Sequence, residues 1–147
     1  MTNEFTALFE RDLNKLAEEI KSYKNDKQIW TVKEGITNSA GNLCYHLVGN
    51  LNHFLGAVLG KNGYVRNREE EFAIKDVPAS ELVTMVEKVK EVIVSTLGSL
   101  SEEDLNATFP VDIFGSPLST RHFILHLYGH LNYHLGQINY HRRLTGE

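Results

Sequence analysis

An all-α fold, a four-helix bundle, is the architecture this sequence predicts. Two observations carry it. Four long stretches repeat apolar residues at helical spacing, and only three prolines interrupt 147 residues. Four amphipathic helices bury their stripes most simply against one another, and a chain of this length suits one compact domain, residues 1–147, around a single core.

The first helix is expected from about Asn3 to Tyr23, with Phe5, Leu8, Phe9, Leu13, Leu16, Ile20 and Tyr23 on its apolar face. Residues 23–39 are polar and punctuated and read as a connection, with Trp30 as an anchor folded back on the core. Asn38 or Ser39 offers an N-cap for a second helix reaching about Leu59, its stripe formed by Leu43, Leu47, Leu51, Phe54, Leu55 and Val58. His46, Asn50 and His53 border that stripe, where a bundle carries a buried site. Residues 60–78 are too rich in glycine and charge to predict a helix, and a loop of that length is more often functional than idle. A third helix, about Ala79 to Leu97, repeats Leu82, Val86, Val89, Ile93 and Leu97. A short capped SEED segment and the extended-looking TFPVDIFGSP follow. Ser119 or Thr120 then caps the last helix, with Ile124, Leu127, Leu131, Leu135 and Ile138 as its stripe.

Composition excludes several classes of function. A net charge of −4 leaves no electrostatic footprint for nucleic acid or an anionic membrane. No apolar run approaches the roughly 18 residues that span a bilayer, and acidic residues stand where a secretory signal needs basic and apolar ones. One cysteine rules out an internal disulfide framework and a Cys-rich zinc site. The expectation is a cytoplasmic protein with no nucleic-acid or membrane partner.

The last helix carries the chemistry. His122, His126, His130 and His134 recur every four residues, and His141 follows. Each step of four turns a helical side chain by only about 40° and advances it by about 6 Å, so adjacent pairs converge while the ends of the series do not. Neutral imidazoles at i and i+4 provide two metal ligands from one rigid element. Spacing leaves the pairs 126/130 and 130/134 both open. A third ligand must come from another helix, and His46 fits. Three protein ligands leave positions for water or substrate, as in a catalytic site.

The string GHLNYHLGQI, with His130 and His134 before Gly136 and Gln137, resembles the H-x-x-x-H-x-G-Q-I signature of the DinB/YfiT-like metalloenzyme superfamily. CYHLVGNLNHFL resembles that superfamily's second-helix motif, and HLVGNL followed by YVRNREEEF is similar to a bacterial subgroup. The resemblance spans the whole chain in length and helix order. It implies a four-helix bundle whose connection order is not simply up-and-down, often paired as a homodimer, with His46, His130 and His134 as ligands. Zn or Ni is the expected divalent ion, with Fe or Mn as the other candidates. Relatives include transferases and isomerases that use low-molecular-weight thiols, in which the metal lowers the thiol pKa so that it attacks an electrophilic small molecule. The implied function is a thiol S-transferase; hydrolysis of a substrate, or a non-catalytic metal-binding bundle, is the alternative.

The neighbouring residues carry weaker expectations, and no catalytic base is identifiable. Asn50 either orients a bound water or substrate or makes an interhelical hydrogen bond. Gly136 makes room for a helix or a ligand, and Gln137 is read as a polar contact to a neighbouring helix. His126 is read as packing, His53 as bundle margin and His122 as exposed. His141 is read as a partner of the C-terminal helix dipole beside Arg142 and Arg143, and Cys44 as a buried inert thiol. Arg66 and Arg68 either bind a substrate's anionic group or, by default, pair at the surface with Glu69, Glu70 or Glu71.

Overall fold

A computed structural model describes residues 2–146. Its four principal helices are α1 (Thr2–Lys21), α3 (Ala40–Leu51), α5 (Ala79–Gly98) and α7 (Thr120–Thr145). Three short helices decorate the connections: α2 (Asp26–Ile29), α4 (Arg68–Ala73) and α6 (Glu102–Asn106). Among the described residues β structure is limited to one antiparallel bridge, Thr108 with Ser119, where the sequence suggested an extended segment.

Local chemistry accounts for the helix ends. The Ser39 side chain accepts from the Asn42 amide, Ser119 from that of His122, and Ser101 with Asp104 forms a capping box. Beyond Leu51 the second long helix continues to Leu59 in π-helical geometry, and the Gly60 amide reaches back to the Leu55 carbonyl. Two expected loops contain helix. Asn25 caps α2 through the Gln28 amide, and Asn67 caps α4 through the Glu70 amide. Each is one turn or two held by a cap and tertiary contacts, which hydrophobic periodicity does not register.

The predicted stripes form the core, including Phe9, Leu13, Leu47, Leu51, Val86, Ile93, Leu127 and Leu131, all with no exposed surface. α1 packs along α5 and α7, and α3 packs along α5 and α7. The ring order is therefore α1, α5, α3, α7. Consecutive long helices α1 and α3 lie across one diagonal, and α5 and α7 across the other. The chain crosses the end of the bundle twice, so the order is not up-and-down. One crossing carries Trp30, whose indole lies where a Gly41 side chain would be and donates to the Val77 carbonyl at 2.9 Å.

A buried acidic residue fastens α1 to α7. Asp12 is fully buried and accepts from Arg11, from the Tyr128 hydroxyl at 2.5 Å and from Asn132 at 3.1 Å. Burial pushes its carboxyl up, but these hydrogen bonds outweigh burial and hold it at about 2.

Candidate metal centre

Where α3 and α7 run side by side, His46 meets His130 and His134. One ligand-type atom from each of the three lies within 4.8 Å of the other two. The Nε2 atoms of His46 and His130 are 3.1 Å apart. Two nitrogens on one tetrahedral ion at about 2.0–2.1 Å would be roughly 3.3–3.4 Å apart, so the spacing needs little adjustment. His134 closes the triangle, its ring centre 4.6 Å from that of His130 and 5.3 Å from that of His46.

Partners outside the triangle orient two of the rings. His134 Nδ1 is 2.7 Å from Gln137 Oε1, one turn along α7. Gln137 therefore serves the histidine in its own helix rather than a neighbouring one. His46 Nδ1 is 3.0 Å from Glu71 Oε1, and Arg66 forks onto both Glu71 oxygens at 2.9 Å. The sequence placed such a pairing at the surface. It is instead buried, with Glu71 only 3% exposed, because α4 turns that one residue of the acidic run inward against α3. Glu71 is the residue beside the cluster that the sequence reading left at the surface; the histidine spacing had no bearing on it. Phe72, its neighbour, lies 4.9 Å from the His46 ring, and the Arg68 guanidinium sits over Phe72.

Burial favours the neutral form of two of the rings, His46 and His130. Burial, then the adjacent imidazoles, hold His130 down at about 4. Burial also lowers His46, although the Glu71 carboxylate opposes the shift. Neutral imidazole is the form that ligates. His130 Nδ1 is buried without a protein partner, and a buried polar atom left so costs about 1–3 kcal/mol. The donor set of three imidazole nitrogens suits a divalent transition metal.

The remaining candidates separate cleanly. His126 is exposed, edge-on to Phe114, its ring centre 6.4 Å from that of His130. It stands outside the cluster, so α7 contributes the pair 130/134 to it. His53 is half-buried against Phe54, and His122 is exposed as expected. Asn50 is buried with its Oδ1 lacking a protein partner, so the expected interhelical hydrogen bond to that oxygen is not made. Cys44 is fully buried and its thiol is pushed up to about 12, as an inert thiol should be. His141 departs from expectation. It is buried, 2.8 Å from the Thr31 carbonyl and 2.7 Å from the Tyr23 hydroxyl, so it ties α7 to the first crossing instead of serving a helix dipole.

A family model described as "Protein of unknown function (DUF1572)" matches residues 3–147. The chain belongs to this family. The solved structures that resemble the chain in fold include DinB-like proteins. A DinB-like protein from Bacillus subtilis is 20% identical, covers 98% of this chain and 92% of its own, and superposes with a TM-score of 0.72. One from Bacillus cereus is 19% identical over 97% and 91%, at 0.76. A conserved protein from Enterococcus faecalis is 15% identical over 99% and 96%, at 0.79. No curated protein matches the chain in sequence. At these identities the likeness establishes the DinB-like bundle and its crossed connections, and the chemistry rests on the residues of this chain. No helix among the described residues is long and apolar enough to cross a membrane.

Beside the cluster the DinB-like bundle opens into a cavity of about 720 Å³ between the first crossing and α7. Gly35, Ile36, Tyr133, His134, Gln137 and Tyr140 are among its walls. His134 is the one cluster residue it reaches. Tyr133 and Tyr140 are each 63% exposed there.

Proposed function

We propose that this DUF1572 protein is a divalent-metal-dependent enzyme whose metal is held by His46, His130 and His134, and that it joins a small thiol, through its sulfur, to an electrophilic small molecule. The observation that carries this reading is the convergence of three imidazoles from two helices, two of them with an acceptor oxygen on the outer nitrogen. When bound, a divalent metal would supply Lewis acidity that favours the thiolate form of a thiol at neutral pH. Zn or Ni suits three imidazoles best, with Fe or Mn less favoured.

Among the described residues, no free carboxylate base is disposed beside the cluster. Glu71, the carboxylate that touches the cluster, is taken up by His46 and Arg66 and is not disposed to act as a base. A thiol, with a pKa of about 8.5, needs no such base to ionise beside a metal; water beside a metal also falls to about 7, so the choice of thiol rests on the resemblance to thiol-using relatives. In the reaction the sulfur loses its proton to solvent and forms a bond to carbon, and the leaving group departs with its bonding pair. Tyr133 and Tyr140 would bracket an apolar substrate body in the cavity that reaches His134. Association as a homodimer and a cytoplasmic location belong to the same reading, supported by the resemblance and the composition; light scattering at micromolar concentration tests the dimer.

Metal analysis of untagged protein purified at pH 7.5 without chelator is the first test. Near one equivalent of Zn or Ni per chain is expected, with loss from His46→Ala, His130→Ala and His134→Ala and retention in His126→Ala. Full retention by His134→Ala would point to the pair 126/130. Conjugation of small thiols to an electrophilic fluorogenic probe, dependent on added Zn(II) or Ni(II) and abolished by His46→Ala, separates the transferase from a non-catalytic metal-binding bundle.

A further inference from the structure

We infer that Glu71 is a positioning residue, holding the His46 ring in the tautomer and orientation that present Nε2 to His130 and His134. The inference rests on the metal reading above for its purpose, though not for its geometry.

Hydrogen-bond polarity decides the tautomer. Arg66 can only donate, and it forks onto both Glu71 oxygens at 2.9 Å. A carboxylate so paired can only accept, so the proton between Glu71 Oε1 and His46 Nδ1, 3.0 Å apart, belongs to the imidazole. Arg66 Nη2 also lies 3.4 Å from that Nδ1, but it donates to Glu71 Oε1 at 2.9 Å, and the shorter contacts set the polarity. Nε2 then carries the lone pair, and this is the atom 3.1 Å from His130 Nε2. A carboxylate on the outer nitrogen of a ligating histidine fixes both ring orientation and basicity.

The backbone is built around this contact. Asn42, His46 and Gly49 recur at i, i+4 and i+7 on one face of α3, and all three address α4. The Asn42 side chain donates to the carbonyls of Glu71 and Ile74, at 3.1 and 2.8 Å, and so docks α4 at both ends of its last turn. A Cβ on Gly49 would stand 1.9 Å from Glu71 Oε2, so only glycine admits the carboxylate at this depth. Arg66 reaches in from the loop before α4 and holds the far side of the same carboxylate. A surface ion pair would need none of this.

Long-range proton–nitrogen correlation spectra of metal-free protein labelled with 15N-histidine read each tautomer directly. His46 is expected to be Nδ1–H. His141, whose Nε2 faces the Thr31 carbonyl, is expected to be Nε2–H and reports that the fold is intact. Glu71→Ala should leave His46 without a single tautomer and weaken Zn(II) binding, measured against a chromophoric chelator, by about 10- to 100-fold, with the His141 signal unchanged. Glu71→Gln, which keeps an acceptor oxygen, should recover much of the tautomer preference. An Nε2–H His46 in the parent protein, or a Glu71→Ala variant with unchanged tautomer and unchanged affinity, overturns the inference. Should Glu71→Ala lose the His141 signal, Arg66→Met takes its place; partial loss of the His46 preference supports the inference and full retention overturns it. A parent protein that shows the Nδ1–H tautomer yet binds no Zn(II) overturns the metal reading alone and supports the hold of Glu71 on the ring.

Discussion

Gly49 and Gly136 flank the site in sequence, and at the scale of single residues they have opposite consequences. An added Cβ at Gly49 meets a buried carboxylate oxygen, whereas at Gly136 it meets nothing within 4 Å. Gly49→Ala must therefore displace Glu71 or push α3 from α4, and overpacking of this kind costs about 1–3 kcal/mol. Urea denaturation should show that loss, and Zn(II) affinity should fall with it. Gly136→Ala adds a methyl to an exposed helical position and should raise stability by about 0.5–1 kcal/mol through helix propensity, with metal content unchanged. A destabilised Gly136→Ala would mean that another surface, such as a second chain, approaches there. The His-Leu-Gly-Gln string thus owes its proximity to the site to His134 and Gln137, which bond each other, more than to its glycine.

Among the elements, α7 carries two of the three clustered histidines, so its placement sets the site. Three ties hold it: Asp12 to Tyr128 and Asn132, Glu19 to Asn139 and Arg142, and His141 to Tyr23 and Thr31. The third also fixes the first crossing, which forms the far wall of the cavity. His141→Ala opens a void and removes a partner from the half-buried Thr31 carbonyl and one of two from the Tyr23 hydroxyl, which keeps the Ile138 carbonyl, a change worth about 2–4 kcal/mol by urea denaturation. The α3–α4 docking is independent of this tie, so the Zn(II) stoichiometry of the folded variant should hold. Loss of metal from a folded His141→Ala protein would show that the C-terminal end of α7 positions His130 and His134 more directly than its contacts indicate.

For the molecule as a whole, pH links stability to the site. His46, His130 and His141 are each lowered from the ordinary histidine value, chiefly by burial. The unfolded chain therefore binds more protons than the folded one below about 6.5, and the stability these groups contribute is present above that pH. It is lost as pH falls toward their folded values, about 4 for His130. Urea midpoints of metal-free protein should drop between pH 7.5 and pH 5, by on the order of 2–3 kcal/mol. Asp12, held at about 2, does not contribute to the change in that window. Saturating Zn(II) should raise the midpoint at pH 7.5 and do so less at pH 5, since protons and metal compete for the same nitrogens. A midpoint flat from pH 7.5 to 5 would contradict the burial of neutral imidazoles.

Helix periodicity, capping residues and the i, i+4 histidine spacing are properties of neighbours in the chain, so the sequence by itself determined four long helices, their ends and the faces they bury. It also limited α7 to one adjacent histidine pair, 126/130 or 130/134, between which the motif resemblance chose, and made His46 the natural partner on another helix. The ring order α1, α5, α3, α7 was decided only in three dimensions, because an apolar stripe does not name the stripe it packs against. The same limit hid Glu71, one of three consecutive glutamates that differ only in which way α4 turns, and His141, whose partners stand 110 and 118 positions away. The histidine cluster was legible because helix geometry is local and repeats; the carboxylate that orients it was not, because its burial depends on the docking of one helix against another.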